Sequence, residues 1–102
     1  MDKSHFKEDT RYTVTWRDAA TGKTRPANFH VLRTYEKFMI VRETSGGGLL
    51  RKIAYEDIER IVQEMPVDPA HRYKVPAALL DEKLWRDRSL MEHYFSSPAL
   101  GK

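Results

Sequence analysis

Between Phe38 and Val62 the chain alternates short apolar runs with turn residues, and this stretch organises the sequence on either side of it. Phe38-Met39-Ile40-Val41 is apolar on both faces of an extended strand, which marks it as the most buried element. A glycine-rich loop follows over residues 44–48, then a strand over 49–53. Tyr55-Glu56-Asp57 makes a tight turn into a closing strand over 58–62. Ile58, Ile61 and Val62 also fit a helical period, so a helix across 55–64 is the competing reading. Upstream, Tyr12, Val14 and Trp16 alternate with polar residues, as in a half-buried strand. Gly22 can adopt positive φ in the turn over 19–23. Pro26 lacks an amide donor and belongs at a strand start or edge. Phe29-His30-Val31-Leu32-Arg33 continues as a second strand that turns over 34–37.

After Gln63 the character changes. Pro66 and Pro69 make a stiff connector of residues 64–75. Pro76 suits a first helical position. Beyond it Leu80, Leu84, Met91 and Phe95 approach one helical face, flanked by Leu79, Trp85 and Tyr94. Asp87 and Arg88 interrupt that stripe, and Ser89 with Glu92 matches a capping box, so residues 77–95 read as one helix or two. The first ten residues, mostly polar and charged around Phe6, read as a flexible arm. The expectation is a mainly β chain. An arm over 1–10 leads into a five-stranded antiparallel barrel over 11–63, then the connector over 64–75. A helical segment over 76–102 packs on the barrel. Trp16, Phe29, Ile40, Ile53 and Ile61 are expected in one core.

Five short strands with a one-turn bend before the fifth is the order of an SH3-like or Sm-like small barrel, a shape that removes open sheet edges. Residues 12–61, about half the chain, resemble the core of a WYL domain. The matching features are Val14-Thr15-Trp16, Gly22, Pro26, Phe38-Met39-Ile40 where the family has its Trp-Tyr-Leu, the glycines 46–48, and Ile53 through Asp57-Ile58. The same order is similar to the Rho-binding antiterminator proteins. These resemblances imply regulatory binding, and the Sm-like one implies pairing of copies edge to edge.

The net charge of +3 is uneven. Residues 1–62 hold twelve Lys/Arg against nine Asp/Glu, while residues 63–102 hold six of each. The β part therefore leans toward an anionic partner. Arg33, Arg42, Arg51 and Lys52 lie on strands two to four beside Tyr35 and Phe38, an arrangement suited to single-stranded nucleic acid. Ordinary solvated strand residues balanced by Glu36, Glu43 and Glu59 give the same pattern. Aligning Ile40 with Ile53 sets Phe38 opposite Tyr55 and Arg42 opposite Arg51, and the two arginines would then centre an anion-binding spot.

Other chemistries lack their residues. There is no cysteine, hence no disulfide, and a cytoplasmic location is the default expectation. His5, His30, His71 and His93 are too scattered for a zinc motif. No serine stands in Gly-x-Ser-x-Gly, and Gly46-Gly47-Gly48 lacks the Lys-Ser/Thr of a phosphate loop. The pairs Asp57/Glu59 and Asp81/Glu82 read as solvated charges rather than acid–base machinery. No run of about 18 apolar residues spans a membrane, and residues 1–8 lack the apolar core of a signal peptide. The expected role is a non-enzymatic, cofactor-free regulatory or adaptor module. It would bind a protein partner or a second copy, with RNA or single-stranded DNA as the alternative.

Overall fold

Period-two alternation of apolar residues builds one antiparallel sheet from six strands: β1 (Thr10–Arg17), β2 (Thr24–Thr34), β3 (Phe38–Glu43), β4 (Leu50–Ala54), β5 (Ile58–Pro66) and β6 (Leu90–Met91). The computed structural model describes residues 1–44, 48–72 and 74–91. The strand order is β5-β1-β2-β3-β4-β6. Arg51 on β4 holds its guanidinium carbon 5.2 Å from the Trp16 ring on β1. β4 and β5 stand four inter-strand steps of about 4.8 Å apart in that order yet are joined by only Tyr55–Asp57, so the sheet is strongly curled. It is nevertheless open. Among the described residues no ladder joins β5 to β4 or β6, which corrects the expected closed barrel. The β4 edge that closure would need is taken by β6, through Leu50↔Met91 and Arg51↔Leu90.

Two apolar clusters lie on opposite faces of this sheet. The inner one gathers Phe6, Tyr12, Val14, Trp16, Phe29, Val31, Met39, Val41, Ile53, Tyr55 and Ile58, with Ala27 and Ile61 against it. The outer one holds Leu32, Ile40, Leu50, Leu80 and Trp85, with Tyr35, Phe38, Val75, Leu84 and Met91 around it. Ile40 is fully buried but belongs to the outer cluster, apart from Trp16, Phe29, Ile53 and Ile61. The register explains this: Met39 faces Ile53, Ile40 faces Lys52 and Arg42 faces Leu50. The expected pairing of Ile40 with Ile53, and with it Phe38 with Tyr55 and Arg42 with Arg51, is one residue out.

β5 runs four residues further than expected, into the connector. It replaces the alternative helix, and only Tyr55–Asp57 forms a 3-10 turn. Two bulges account for the misleading period. Thr13 pairs with Gln63 but Val14 with Ile61, and Thr15 with Arg60 but Trp16 with Ile58. Val62 and Glu59 are thereby skipped, so Ile58 and Ile61 share the inner face although three residues apart.

The tail is not a helix over its described part. Ala77–Leu80 is a 3-10 turn, and residues 90–91 pair as β6. Its carbonyls are met in part by i+3 turn bonds, such as Leu84 N–H to Asp81 at 3.0 Å and Trp85 N–H to Glu82 at 3.1 Å, and in part by the sheet and its own indole. The Tyr35 hydroxyl donates to the Leu80 carbonyl. Lys52 Nζ donates to the Trp85 carbonyl at 2.7 Å, and the Trp85 indole N–H donates to Leu79 at 2.7 Å. The expected contributions of Tyr94, Phe95 and the Ser89–Glu92 capping box involve residues outside the described ones. At the other terminus, the stretch read as an arm contributes to the core. Phe6 stacks on Tyr55 at 5.8 Å and meets Tyr12 edge-on at 5.0 Å, and Lys7 N–H donates to the Tyr12 hydroxyl at 2.8 Å.

Asp9 ties four segments together at φ 56°, a conformation Asp tolerates better than most residues. Its N–H donates to Val31, its carbonyl accepts from Val67, and its carboxylate faces His30 at 3.4 Å and Arg72 at 3.7 Å. His30 is fully buried. Burial pushes it below the ordinary histidine range, Asp9 pulls the other way, and the Arg11 and Arg42 charges add to the depression.

Two predictions follow from this packing. Trp85→Ala is expected to cost about 3–5 kcal/mol, because it empties the cover over Ile40 and Leu50; a loss under about 0.5 kcal/mol in urea unfolding would mean that the tail does not pack there. For His30, the folded-state value lies below the unfolded value of about 6.5. Its contribution is therefore complete above that pH and is lost as pH falls through the depressed folded value. Urea midpoints are expected to drop between pH 7.5 and 5 in the parent, and His30→Gln is expected to flatten that slope.

Candidate functional site

Four consecutive strands bring side chains to one end of the inner face: Trp16 from β1, Arg25 from β2, Glu43 from β3 and Arg51 from β4. The first pair is fixed by the β1–β2 hairpin, where Trp16 and Arg25 are direct cross-strand partners. That hairpin turns at Gly22, φ 73°, whose N–H donates to Asp18 at 2.7 Å. Together with Pro26, Ala27, Asn28, Phe29 and Ile53 these residues line a cleft of about 280 Å³.

Two guanidinium groups meet one indole in this cleft. Arg25 lies 4.8 Å from the Trp16 ring centroid and Arg51 lies 5.2 Å from it. Arg51 Nε also donates to Glu43 at 2.7 Å, in an ion pair whose side chains keep only about a fifth of their surface exposed. Arg25 is exposed and makes no hydrogen bond or ion pair with the described residues. The Trp16 indole N–H is buried and unpartnered among them. The cleft thus has an apolar floor, one balanced ion pair and one uncommitted cation.

The residues expected from sequence to bind nucleic acid are divided by the sheet. Arg51 alone faces inward. Arg33, opposite Ile40, and Arg42, opposite Leu50, take the outer face. Arg42 packs its guanidinium against Gly48, where a Cβ would collide with it. Lys52 and Tyr35 come together under the tail, Lys52 with its Nζ 5.4 Å from the Phe38 ring, and both spend their polar atoms on tail carbonyls. Sequence reasoning placed Trp16 in the core, where it lies, but gave it no part in a site and gave Arg25 no role. The hairpin signal around Gly22 held the information, since closing that turn at Asp18 and Lys23 sets Trp16 beside Arg25.

Among the described residues no group of three or more metal-ligating side chains occurs, and no helix is long and apolar enough to cross a membrane. Compared with known proteins, the chain matches no protein-family model, and no curated protein or solved structure matches it.

Proposed function

We propose that this chain is a non-enzymatic protein-interaction module whose inner-face cleft receives an acidic, partly apolar segment of a partner. The carrying observation is Arg25, an exposed cation resting on a buried tryptophan beside the Arg51–Glu43 pair. Trp and Arg are the residue types that dominate binding hot spots, and an apolar floor with a polar rim is the anatomy of such a site. A partner carboxylate would engage Arg25 while an apolar neighbour covers the floor of Phe29 and Ile53. The strand order and the 3-10 bend at Tyr55–Asp57 support reading the sheet as an opened SH3-like or Sm-like barrel.

A protein partner fits better than single-stranded nucleic acid. A strand of phosphates needs several cations along one track, whereas Lys52 is tied under the tail and Arg33 and Arg42 lie on the other face. Pairing of copies through β5 is also disfavoured. Two bulges, the charges of Glu59, Arg60 and Glu64, and the terminal Pro66 all blunt that edge.

Trp16 supplies the assay. Its fluorescence, read above the constant background of the fully buried Trp85, can be titrated with acidic, neutral and basic peptides that share apolar content. Saturable binding of the acidic peptide is expected. Arg25→Glu is expected to weaken it by about tenfold or more, the scale of one charge-assisted pair, with unchanged melting. Equal response to all three peptides, or indifference to Arg25→Glu, would sink the reading.

A further inference from the structure

The outer face carries a second cleft of about 280 Å³ near the same end of the sheet, lined by Arg11, Thr13, Asn28, Thr44, Gln63 and Met65 together with Tyr12 and Phe29. No acidic side chain lines it. Gln63, Thr13 and Asn28 form one cross-strand row over β5, β1 and β2; Met65, Arg11, His30 and Arg42 form the next row over β5 to β3. Paired residues share a face, so these side chains are gathered by register alone.

The hydrogen-bonding capacity left over is donor-rich. Thr13 Oγ1 donates to Asn28 Oδ1 at 2.6 Å, which leaves the Asn28 amide N–H groups available. Thr44 spends its hydroxyl on the Asn28 carbonyl at 3.3 Å. Arg11 is exposed and, like the Gln63 amide, makes no side-chain hydrogen bond or ion pair with the described residues. Guanidinium and amide donors therefore come from three adjacent strands. The nearby carboxylates are already engaged: Glu64 accepts from the Tyr12 hydroxyl, and Asp9 faces His30 and Arg72.

We propose that this outer cleft binds the phosphoryl group of a small phosphate monoester. Donors converging from β1, β2 and β5 match a tetrahedral oxyanion better than a planar carboxylate, which presents only two oxygens. The volume exceeds that of phosphate alone, and half-exposed Met65, at 49%, offers an apolar wall to the organic group. This site is independent of the Trp16 cleft and stands or falls separately from it.

His30 supplies the readout, because it lies beside Arg11 in the same row and is buried. The charged groups around it are Asp9, Arg11 and Arg42, with Arg72 acting through Asp9. An anion bound at Arg11 offsets that positive field, so by linkage it raises the pH at which His30 protonates. The experiment follows the His30 ring protons by NMR, assigned with His30→Gln. Inorganic phosphate, a nucleoside 5′-monophosphate, acetate and a single-stranded oligonucleotide are titrated in turn. Saturable shifts with phosphate and tighter binding of the monoester are expected, together with an upward move of the His30 titration. Arg11→Gln is expected to weaken the monoester by about tenfold or more, and Arg25→Gln to leave it unchanged. Shifts that do not saturate, acetate equal to phosphate, or an Arg11→Gln variant that binds as the parent does would overturn the site. An oligonucleotide that binds more tightly than the monoester, with steep salt dependence, would overturn the small-ligand assignment.

Discussion

A strand that is apolar on both faces has to be covered twice, and β3 is that strand. Met39 and Val41 point into the inner cluster while Ile40 points out between Leu32 and Leu50. Curling of the sheet buries the first pair. It cannot bury Ile40, and at about 25 cal/mol per Å² of apolar surface an uncovered outer cluster would be a standing liability in so small a chain. The tail removes it. Trp85 is fully buried over that face, and Tyr35, Lys52 and the Trp85 indole satisfy tail carbonyls beside the tail's own turn bonds.

This arrangement determines what the cations are for. Exposed ion pairs such as Arg17–Glu59 contribute little to stability. Lys52 is different, because its ammonium donates to the tail carbonyls of Trp85 and Arg86. Some basic residues on the strands thus hold the tail, others neutralise acids, and Arg25, Arg51 and Arg11 stand at the two clefts. Arg25 on the inner face and Arg11 on the outer make no hydrogen bond or ion pair with the described residues, so each has charge to offer a ligand at its cleft.

How far the sequence discloses this follows from where its pattern is ambiguous. Tyr12, Val14 and Trp16 alternate with polar neighbours, and a strand that slipped by one would turn them outward, so β1 is legible. Phe38 to Val41 has no such alternation. Either parity buries something, and a one-residue error in register moved Ile40 across the sheet and separated Arg42 from Arg51. The bulges at Glu59 and Val62 turned a strand into an apparent helical period. In the tail the spacing of Leu80, Leu84 and Met91 was a real apolar signal, but it recorded separate contacts with a sheet rather than one helical stripe. Phe6 was invisible for another reason: a lone aromatic has no period, and only the ring gap between Tyr12 and Tyr55 gives it a place.

The two clefts have a common origin in strand length. β2 is eleven residues long and β3 six, and their ladder begins at Phe29. Residues 24–28 pair with β1 and extend past the β3 ladder, with Thr44 N–H reaching only the Asn28 carbonyl. Such an overhang leaves side chains on both faces without a third strand beside them: Arg25 above the inner floor, Asn28 within the outer cleft. Pro26 fits there because a proline is tolerated where no further strand draws on its amide. Asn28 and Phe29 consequently line both clefts, back to back across one strand. Behind both proposed sites stands a mismatch between neighbouring strands. It has no motif to announce it, which is why residue spacing alone directed attention to the β3–β4 arginines instead of to Arg25 and Arg11.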